Sequence, residues 1–366
     1  MSVDFFSTTI NTTIYKKIIK LFDSGFISSG KKNDEFEKKF KNFFNLKYCT
    51  AVNSGTSALH LALRCIGVSK GDEVILPPQT FIATGLAILY CGAKPVFADI
   101  QPNTGNICPI SVKNKISKKT KAVMAVHWGG YPCDLDKLKS ICRKKNIYLV
   151  EDAAHSIGSI YKGKLIGQIS DFTCFSFQAK KQMTTGDGGM LVCKNKRHYK
   201  IAQKLKWFGI DRKSKREYLG ERIYNINEIG YKYHMNDISA LIGLENLKII
   251  KAKIKHLRII AKAYDAELKN IKGIKLLKRS KNVISSYWLY TILVDNRAKF
   301  FHLLKKYKIQ TSLVHRRIDR YKIFGGINND LKGQKTFNKK HICLPIHEKV
   351  KIEDVKKIKK ILVNNF

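Results

Sequence analysis

The sequence predicts an α/β protein of two domains, a large one built on a mostly parallel sheet and a smaller α+β one that follows it. A chain of 366 residues exceeds one ordinary hydrophobic core. Short β-rich apolar runs alternate with helical patterns through the first half, and this alternation stops near residue 240. The predicted domains are therefore residues 1–240 and 241–366.

The first half supplies the sheet. Strands are predicted at Tyr48–Asn53, Glu73–Leu76, Lys94–Ile100, Ala122–His127, Tyr148–Asp152, Phe172–Phe177 and Met190–Cys193. Helical patterns lie between them, among them Ser57–Ile66, Thr84–Tyr90 and Asp134–Lys145. This alternation is typical of a parallel sheet covered by helices on both faces, which binds its ligands beyond the carboxyl ends of the strands.

The second half has a different pattern. A long helix is predicted from Asn236 to about Lys269, followed by a strand at Tyr287–Val294 and helices at Arg297–Lys306 and Ile352–Val363. Near the N-terminus, an amphipathic helix at Thr13–Ser24 is expected to pack on the large domain.

The formal charge of +41 would suit nucleic acid, an anionic membrane surface or an anionic small substrate. The lysines are spread along the chain, as in the blocks Lys113–Lys121, Lys139–Lys145 and Lys349–Lys360, which indicates solvated surface. The sequence contains no recognition module for nucleic acid. It also contains no apolar run that approaches the roughly 20 residues needed to span a bilayer. We therefore expect neither a nucleic acid nor a membrane as a partner.

The nine cysteines are odd in number and scattered singly. Because no C-x-x-C pair occurs, the sequence predicts neither a zinc site nor a disulfide framework, and we expect no metal. The segment Met1–Phe5 lacks the features of a signal peptide. These observations predict a cytoplasmic protein.

A candidate anion site follows the first predicted strand. Ser54-Gly55-Thr56-Ser57 forms a Gly-containing turn into a helix, where free backbone N–H groups and the helix dipole favour a phosphate. The alternative is an ordinary helix N-cap.

Two further segments carry candidate catalytic groups. Asp152 ends a strand within Glu151-Asp152-Ala153-Ala154-His155, either as a partner for a bound group or as a simple cap. Lys180 and Lys181 stand in a Gly-containing loop that follows the strand ending near Ser176. A lysine desolvated in such a loop can lose its proton and attack a carbonyl, although most lysines of this chain are expected at the surface.

Together the three segments fit the needs of pyridoxal phosphate, which requires a phosphate anchor, a carboxylate opposite its ring nitrogen and a lysine for its aldehyde. Phe81 follows another strand, where it could cover a planar ring.

At this point the chain resembles the DegT/DnrJ/EryC1/StrS family of sugar aminotransferases, within the fold type I pyridoxal-phosphate enzymes. The resemblance extends over nearly the whole length. Its motifs are Phe36-Glu37, Ser54-Gly55-Thr56-Ser57-Ala58-Leu59-His60, Gly92-Ala93-Lys94-Pro95-Val96-Phe97, Glu151-Asp152-Ala153-Ala154-His155, the Ser-Phe-x-x-x-Lys stretch from Ser176 to Gly189, Gly230-Tyr231-Lys232-Tyr233-His234-Met235-Asn236-Asp237 and Leu344-Pro345-Ile346-His347.

The resemblance implies a role for each matching residue. Lys181, five residues after Ser176, would bond the cofactor as a Schiff base, Asp152 would pair with the pyridinium nitrogen, and His155 would lie near the phenolic oxygen. Phe81 would stack on the ring. The phosphate would be held by Gly55, Thr56, Ser57 and Ser176.

The resemblance also implies a homodimer with shared active sites, in which a residue of the Gly-Tyr-x-Tyr motif reaches the partner's cofactor. This position, often Asn in the family, is Lys232 here, and either Lys232 or His234 could make the contact.

A second departure from the family is the basic run His315-Arg316-Arg317, where many members have a His-Tyr-x-Pro segment. The run could bind the diphosphate or sugar of the substrate, or it could be a surface turn. Trp207 and Arg212 are weaker substrate-loop candidates.

The resemblance implies an aminotransferase that passes through pyridoxamine phosphate. L-glutamate is the expected donor, and the expected acceptor is a nucleoside-diphosphate 4-keto-6-deoxy sugar aminated at C4. Amination at C3, a sugar dehydratase and a non-catalytic regulatory binding protein are the alternatives. Retention of Lys181 favours transamination over the deoxygenating branches, which replace this lysine with histidine.

Overall fold

A computed structural model describes residues 2–212 and 217–366 of the chain. The helices of this part are α1 (Ile14–Asp23), α2 (Lys31–Phe43), α3 (Gly55–Cys65), α4 (Ile82–Tyr90), α5 (Pro109–Lys115), α6 (Leu135–Lys145), α7 (Lys196–Leu205), α8 (Asp237–Leu268), α9 (Arg297–Lys306), α10 (Lys332–Lys340) and α11 (Ile352–Asn365).

The strands of the same part are β1 (Tyr48–Val52), β2 (Glu73–Leu76), β3 (Lys94–Phe97), β4 (Thr120–Val126), β5 (Tyr148–Asp152), β6 (Ile160–Tyr161), β7 (Lys164–Leu165), β8 (Phe172–Ser176), β9 (Gly189–Cys193), β10 (Glu217–Tyr218), β11 (Glu221–Arg222), β12 (Ile274–Leu276), β13 (Val283–Ile284), β14 (Tyr290–Val294) and β15 (His341–Leu344). Short 3-10 turns lie at Trp128–Gly130, Ile318–Arg320 and Lys322–Phe324.

Seven of these strands form the central sheet, in the order β1–β9–β8–β5–β4–β2–β3. β9 runs antiparallel to its neighbours β8 and β1, and the other neighbouring pairs are parallel. Buried apolar side chains line both faces of the sheet, as a parallel sheet covered by helices requires. The prediction of an α/β fold with a mostly parallel sheet is confirmed.

The strands predicted at Glu73–Leu76 and Tyr148–Asp152 have those bounds in the structure, and the other predicted strands of the sheet differ at one or both ends. Sequence analysis did not assign α2, α5, α7 or α10.

A larger difference lies at the strand predicted from Tyr287, because β14 begins only at Tyr290. Tyr287 has a φ of 52°, a left-handed conformation that interrupts an extended strand.

The long helix α8 crosses the predicted boundary at residue 240 without a break. Its buried apolar residues from Leu244 to Ile254 belong to the core under the large sheet, whereas Leu257 and later ones belong to the core around β12, β14 and β15. The helix therefore joins the two cores, and the division into residues 1–240 and 241–366 stays a prediction.

The N-terminal segment contacts both cores. α1 buries Ile14 and Leu21 against Leu241 of α8. Val3, in contrast, pairs with Ile309 and joins the core of the C-terminal unit. Among the described helices, none is long and apolar enough to cross a membrane.

Candidate active site

The carboxyl ends of β1, β5 and β8 bring the three predicted segments to one edge of the sheet. β5 lies beside β8, with Asp152 opposite Cys174. β9 lies between β8 and β1, so that Gly189 pairs with both Ser176 and Val52. A Cβ atom on Gly189 would lie 2.5 Å from the carbonyl oxygen of Ser54, so only glycine allows the turn after β1 to approach this closely.

The N-terminus of α3 forms the candidate phosphate site. The hydroxyl of Ser54 accepts a hydrogen bond from the Ser57 N–H at 3.0 Å, and the Ser57 hydroxyl donates to the Asn53 side chain at 2.6 Å. Both groups of Ser57 are thus engaged within the chain. The N–H groups of Gly55 and Thr56 lie in the first turn, where helices offer no internal acceptor, and they fit an anion.

Ser176 closes this site from the end of β8. A Cβ atom on Gly55 would lie 2.8 Å from the Cβ and 3.2 Å from the hydroxyl of Ser176, so the absence of a side chain at Gly55 lets the two segments meet. The hydroxyl of Ser176 therefore lies next to the first turn of α3.

Asp152 is buried at the end of β5, with 6% of its surface exposed. Burial raises the pKa of its carboxyl, while hydrogen bonds from the Thr84 hydroxyl and the Ala154 N–H, and the charge of Lys181, oppose that shift. The Thr84 hydroxyl donates to Asp152 at 2.7 Å, and the Thr80 hydroxyl lies 2.6 Å from that of Thr84. Asp152 is therefore held in one orientation by a neighbouring helix.

The structure distinguishes the two lysines of the loop after β8. Lys180 is exposed, with its ammonium 5.6 Å from the ring centre of Phe6. The Nζ atom of Lys181 instead lies 3.7 Å from the ring centre of Trp288. Burial lowers the pKa of Lys181 to about 7, and the charge of Asp152 opposes this effect. Lys181 can therefore supply a neutral amine near neutral pH, as a nucleophile requires.

His155 stacks on Trp288 with the ring centres 3.8 Å apart, and its ring is nearly parallel to that of His315 at 5.7 Å. Burial, followed by the charges of Lys181 and His315, holds the pKa of His155 well below its ordinary value. Burial also lowers the pKa of His315 to about 3. Within the described residues, Nδ1 of His155 and Nε2 of His315 are buried without a hydrogen-bond partner, which is uncommon and indicates a place where a ligand supplies one.

Phe81 lies at the start of α4, with 54% of its surface exposed and its ring centre 5.1 Å from that of His315. An exposed aromatic face beside a buried polar cluster fits the predicted role of a cover for a planar group.

The predicted substrate residues lie in different surroundings. His315 belongs to the cluster around Trp288, and Arg316 is exposed. Arg317 is buried, where its guanidinium forms an ion pair with Asp319 and donates to the carbonyl of Asn328 at 2.8 Å. Two of its nitrogens are thus engaged within the chain, and substrate binding by Arg317 stays a prediction. Trp207 and Arg212 lie together, with the guanidinium 4.4 Å from the indole centre.

The segment with Lys232 and His234 runs beside the candidate phosphate site of its own chain. Lys232 pairs with Trp207 and His234 with Val52 through isolated β-bridges. The side chain of Lys232 is exposed, whereas the ring of His234 packs on Trp207 at 3.9 Å. Burial lowers the pKa of His234 to about 4.

Sequence analysis missed several residues that support the site. Thr84 gave no signal beyond its position three residues after Phe81. Trp288 and Ser286 come from a distant part of the chain, and the Ser286 hydroxyl donates to the carbonyl of His155 at 3.1 Å. Gln182, next to Lys181, donates to the same carbonyl at 2.9 Å.

A buried pair also lies on the opposite side of β5 from Asp152. His127 Nε2 is 2.8 Å from the Glu151 carboxylate, and its Nδ1 accepts from the Cys133 N–H at 3.0 Å. Because a backbone N–H can only donate, the proton of the neutral ring is on Nε2 and is donated to Glu151. This pair fixes Glu151 next to Asp152 in the chain.

A cavity of about 1140 Å³ lies elsewhere, between α2, α7 and the segment around Trp207 and Glu228. Lys181, Asp152 and His155 do not line it. Because volume alone supplies no reacting group, the sheet edge, with a lysine, a carboxylate and an anion site, is the candidate for the chemistry.

The chain is similar to known proteins whose names describe aminotransferases or the synthesis of an amino sugar. Residues 8–363 match the DegT/DnrJ/EryC1/StrS aminotransferase family. The chain is 39% identical over 274 residues to a GDP-perosamine synthase of Vibrio cholerae, covering 75% of this chain and 72% of that protein. It is 30% identical over 357 residues to a UDP-4-amino-4,6-dideoxy-N-acetyl-beta-L-altrosamine transaminase of Campylobacter jejuni, covering 94% of this chain and 92% of that protein. The solved structure of Spr1654 from Streptococcus pneumoniae in its PLP form superposes with a TM-score of 0.91 at 29% identity, covering 100% of both chains.

Proposed function

Because the chain belongs to the DegT/DnrJ/EryC1/StrS aminotransferase family and is a pyridoxal-phosphate-dependent sugar aminotransferase, we propose that it converts a nucleotide-linked 4-keto-6-deoxy sugar into the 4-amino sugar with L-glutamate as donor. The single observation that supports the chemistry best is the half-buried Lys181, whose amine is desolvated near Asp152, at the edge of the sheet where α3 begins.

The residues present fit pyridoxal phosphate. The N–H groups of Gly55 and Thr56, with the hydroxyl of Ser176, suit its phosphate, and Ser57 supports this turn through Ser54 and Asn53. Asp152 suits a cationic ring nitrogen, because burial makes its own negative charge costly without a positive partner. The orphaned Nδ1 of His155 suits the phenolic oxygen, and the exposed face of Phe81 suits the ring.

When bound, the cofactor supplies an electron-withdrawing ring that stabilises negative charge on the carbon that loses its proton. Lys181 would hold the cofactor through its aldehyde and, as a free amine, would be the base that takes the proton from the substrate carbon and gives it back. A pKa of about 7 suits both directions of this transfer near neutral pH. Thr84 orients Asp152, and the first turn of α3 holds the phosphate end in place.

The choice of C4 is supported by the relative from Campylobacter jejuni, whose name specifies a 4-amino-4,6-dideoxy sugar. Amination at C3 is the alternative to test against it. A dehydratase and a non-catalytic regulatory protein are less favoured, because both the lysine and its carboxylate partner are in place.

His315 and the exposed Arg316 are proposed to contact the sugar nucleotide, and Arg317 to support them through its ion pair with Asp319. Free cysteines favour a cytoplasmic location.

The first test is the visible absorption spectrum of the purified protein before and after L-glutamate, for wild type, Lys181→Ala and Lys180→Ala. Lys180 is the matched control, because it is the adjacent residue but points to Phe6. We expect a yellow protein that bleaches with glutamate, no such response in Lys181→Ala, and a normal response in Lys180→Ala. A wild type that stays colourless after added pyridoxal phosphate would contradict the proposal.

The position of amination is tested with the bleached enzyme. Nucleoside-diphosphate 4-keto-6-deoxy and 3-keto-6-deoxy sugars are added separately, and the return of colour is followed with NMR analysis of the product. We expect colour to return with the 4-keto substrate and nitrogen to be found on C4. Return of colour only with the 3-keto substrate would establish the alternative.

We also propose a homodimer in which Lys232 of one protomer reaches the cofactor site of the other. Large apolar side chains are exposed along one face of α1, at Tyr15, Ile19 and Phe22, and in the segment after β10, at Leu219 and Ile229. Exposed apolar surface of this extent is typical of protein–protein contacts. Lys232 is favoured over His234 because its side chain is exposed, whereas that of His234 packs on Trp207.

Shared sites predict complementation between two inactive variants. Lys181→Ala and Lys232→Ala protomers, mixed and allowed to exchange, form hybrids with one intact site, so up to about one quarter of the sites should recover. A second mixture, of Lys181→Ala with His234→Ala, tests the alternative residue. Recovery in this mixture alone would assign the contact to His234. No recovery in either mixture, from proteins that exchange subunits, would argue against shared sites.

A further inference from the structure

Trp288 contacts the loop of Lys180 and Lys181, the ring of His155 and, near the N-terminus, Phe6. Its side chain is buried, with 6% of the residue exposed. The Nζ atom of Lys181 lies 3.7 Å from its ring centre, and the ring of His155 stacks on it at 3.8 Å and 19°. The indole therefore contacts two residues of the proposed chemistry, although it supplies no acid, base or nucleophile of its own.

The indole is held in this place by several contacts. Its Nε1–H donates to the carbonyl of Lys180 at 2.7 Å, which ties it to the residue before the reactive lysine. Phe6 stacks on it at 5.5 Å. The preceding residue, Tyr287, has a φ of 52°, a conformation that costs energy and persists where surrounding contacts require it.

The contact with Lys181 is a cation–π contact in a desolvated site. An aromatic face attracts an ammonium, and the attraction grows when water is excluded. The other ionisable groups near this amine are Asp152, which attracts the cation, and His155 and His315, which burial keeps neutral. The indole is thus an uncharged group that offsets part of the cost of burying the cation.

We propose that Trp288 is a positioning residue for Lys181, whose indole face holds the lysine amine beside Asp152 and His155 whenever that amine is not bonded to the cofactor. The inference rests on the proposed function, in which Lys181 alternates between bonding the cofactor and carrying a proton. If Trp288 only filled space, there would be no reason for the Lys181 Nζ atom to lie over the centre of its ring or for its N–H to bond to the Lys180 carbonyl.

The test uses apoprotein prepared by removing the cofactor, to which pyridoxal phosphate is added over a range of pH. The rate of colour formation reports the fraction of neutral Lys181 amine, so its midpoint in pH reports the pKa of this group. In Trp288→Leu we expect the midpoint to fall by about one pH unit, because the cation loses its aromatic partner. The plateau rate at high pH should fall about tenfold, because the amine is no longer held in place.

Two further variants separate positioning from packing. Trp288→Phe keeps an aromatic face but loses the bond to Lys180, and its midpoint should fall by about half a unit. Phe6→Leu disturbs the packing on the indole without removing the face under Lys181, and its midpoint should equal that of wild type. If Trp288→Leu does not fold, the comparison of Trp288→Phe with wild type still decides the question.

Midpoints that are equal in wild type and both Trp288 variants would overturn the inference and leave the proposed function intact. A wild type that never becomes coloured would overturn the proposed function itself.

Discussion

Replacement of Gly55 by alanine tests whether the close approach of α3 and β8 forms the phosphate site. The added Cβ atom would lie 2.8 Å from the Cβ of Ser176, 3.2 Å from its hydroxyl and 3.4 Å from its Cα. The first distance is shorter than carbon atoms tolerate, so either the start of α3 or Ser176 must move. Both carry groups proposed to hold the phosphate.

Two opposing effects set the size of the change. Alanine favours a helix over glycine by up to about 1 kcal/mol in a helix interior, and by less at the first position, where Gly55 stands. Overpacking by one methyl group costs about 1–3 kcal/mol. The clash should therefore exceed the helix gain. We expect a modest loss of stability, together with a fall in cofactor affinity of about ten- to a hundredfold as one charge-assisted hydrogen bond is displaced.

The assay is a double-mutant cycle with Ser176, read by cofactor titration of the apoprotein and by urea denaturation. Ser176→Gly removes both the Cβ and the hydroxyl that Gly55→Ala would meet, so the double variant should bind the cofactor as well as Ser176→Gly alone. Ser176→Ala keeps the Cβ atom and should give no such rescue. Additive effects in the Gly55→Ala/Ser176→Gly pair, or a Gly55→Ala protein with wild-type affinity, would refute the steric reasoning.

Three other substitutions or conditions test different parts of the molecule. Asp152→Asn should still bind the cofactor through Lys181, but its single-turnover rate of transamination should fall about a hundredfold or more, because a neutral amide does not stabilise a cationic ring nitrogen as a carboxylate does. A wild-type rate would contradict the role of Asp152. Lys206→Met should lower the urea-derived stability by about 3 kcal/mol or more, since it leaves the mostly buried Glu37 without the ammonium that is 2.9 Å away. The control Lys204→Met, at an exposed lysine in the last turn of α7, should cost less than about 1 kcal/mol. Lowering the pH from about 6.5 to 5 should destabilise the folded chain. Burial lowers the pKa of His341 to about 4 and that of His315 to about 3, so the unfolded chain binds more protons than the folded chain in this pH range. His341→Phe should reduce that pH dependence of the urea midpoint, and an unchanged slope would argue that other groups cause it.

The strand-end residues could be predicted because buried strands are easy to recognise and their carboxyl ends meet at one edge. Ser54–Ser57, Asp152 and Ser176 all follow apolar runs, and the structure brings them together. The choice of Lys181 over Lys180 came from the family spacing. Its physical basis is that half-buried Lys181 lies against Trp288 whereas exposed Lys180 lies against Phe6, and this depends on the path of the loop, which composition and periodicity do not reveal.

Trp288 could not be predicted for a related reason. The segment before β14 has the apolar alternation of a strand, and the sequence predicted one from Tyr287. In the structure the left-handed Tyr287 turns the chain, and the hydroxyl of the preceding Ser286 donates to the carbonyl of His155. These are contacts between residues more than 100 positions apart, which a local pattern does not encode.

Arg317 shows the opposite case, in which a local signal was present. An arginine in a basic run suggests a phosphate ligand, but Asp319 stands two residues later, and the structure pairs the two in a buried contact that also includes the carbonyl of Asn328. An acidic residue so close to a basic run is thus a reason to ask which of the arginines remain exposed, and here Arg316 is exposed.

The electrostatics of the site connect stability with binding. Burial lowers the pKa of Lys181 and His155 and raises that of Asp152, so each of the three is pushed towards its neutral form. A cluster of this kind stabilises the folded chain poorly by itself, because buried polar groups without matched partners cost free energy. A ligand with a phosphate for the first turn of α3, a cationic nitrogen for Asp152 and an oxygen for the orphaned His155 would supply those partners, and would add its binding energy to the stability of the fold. The burial that makes the cluster costly would therefore favour the binding of a small, charged cofactor there.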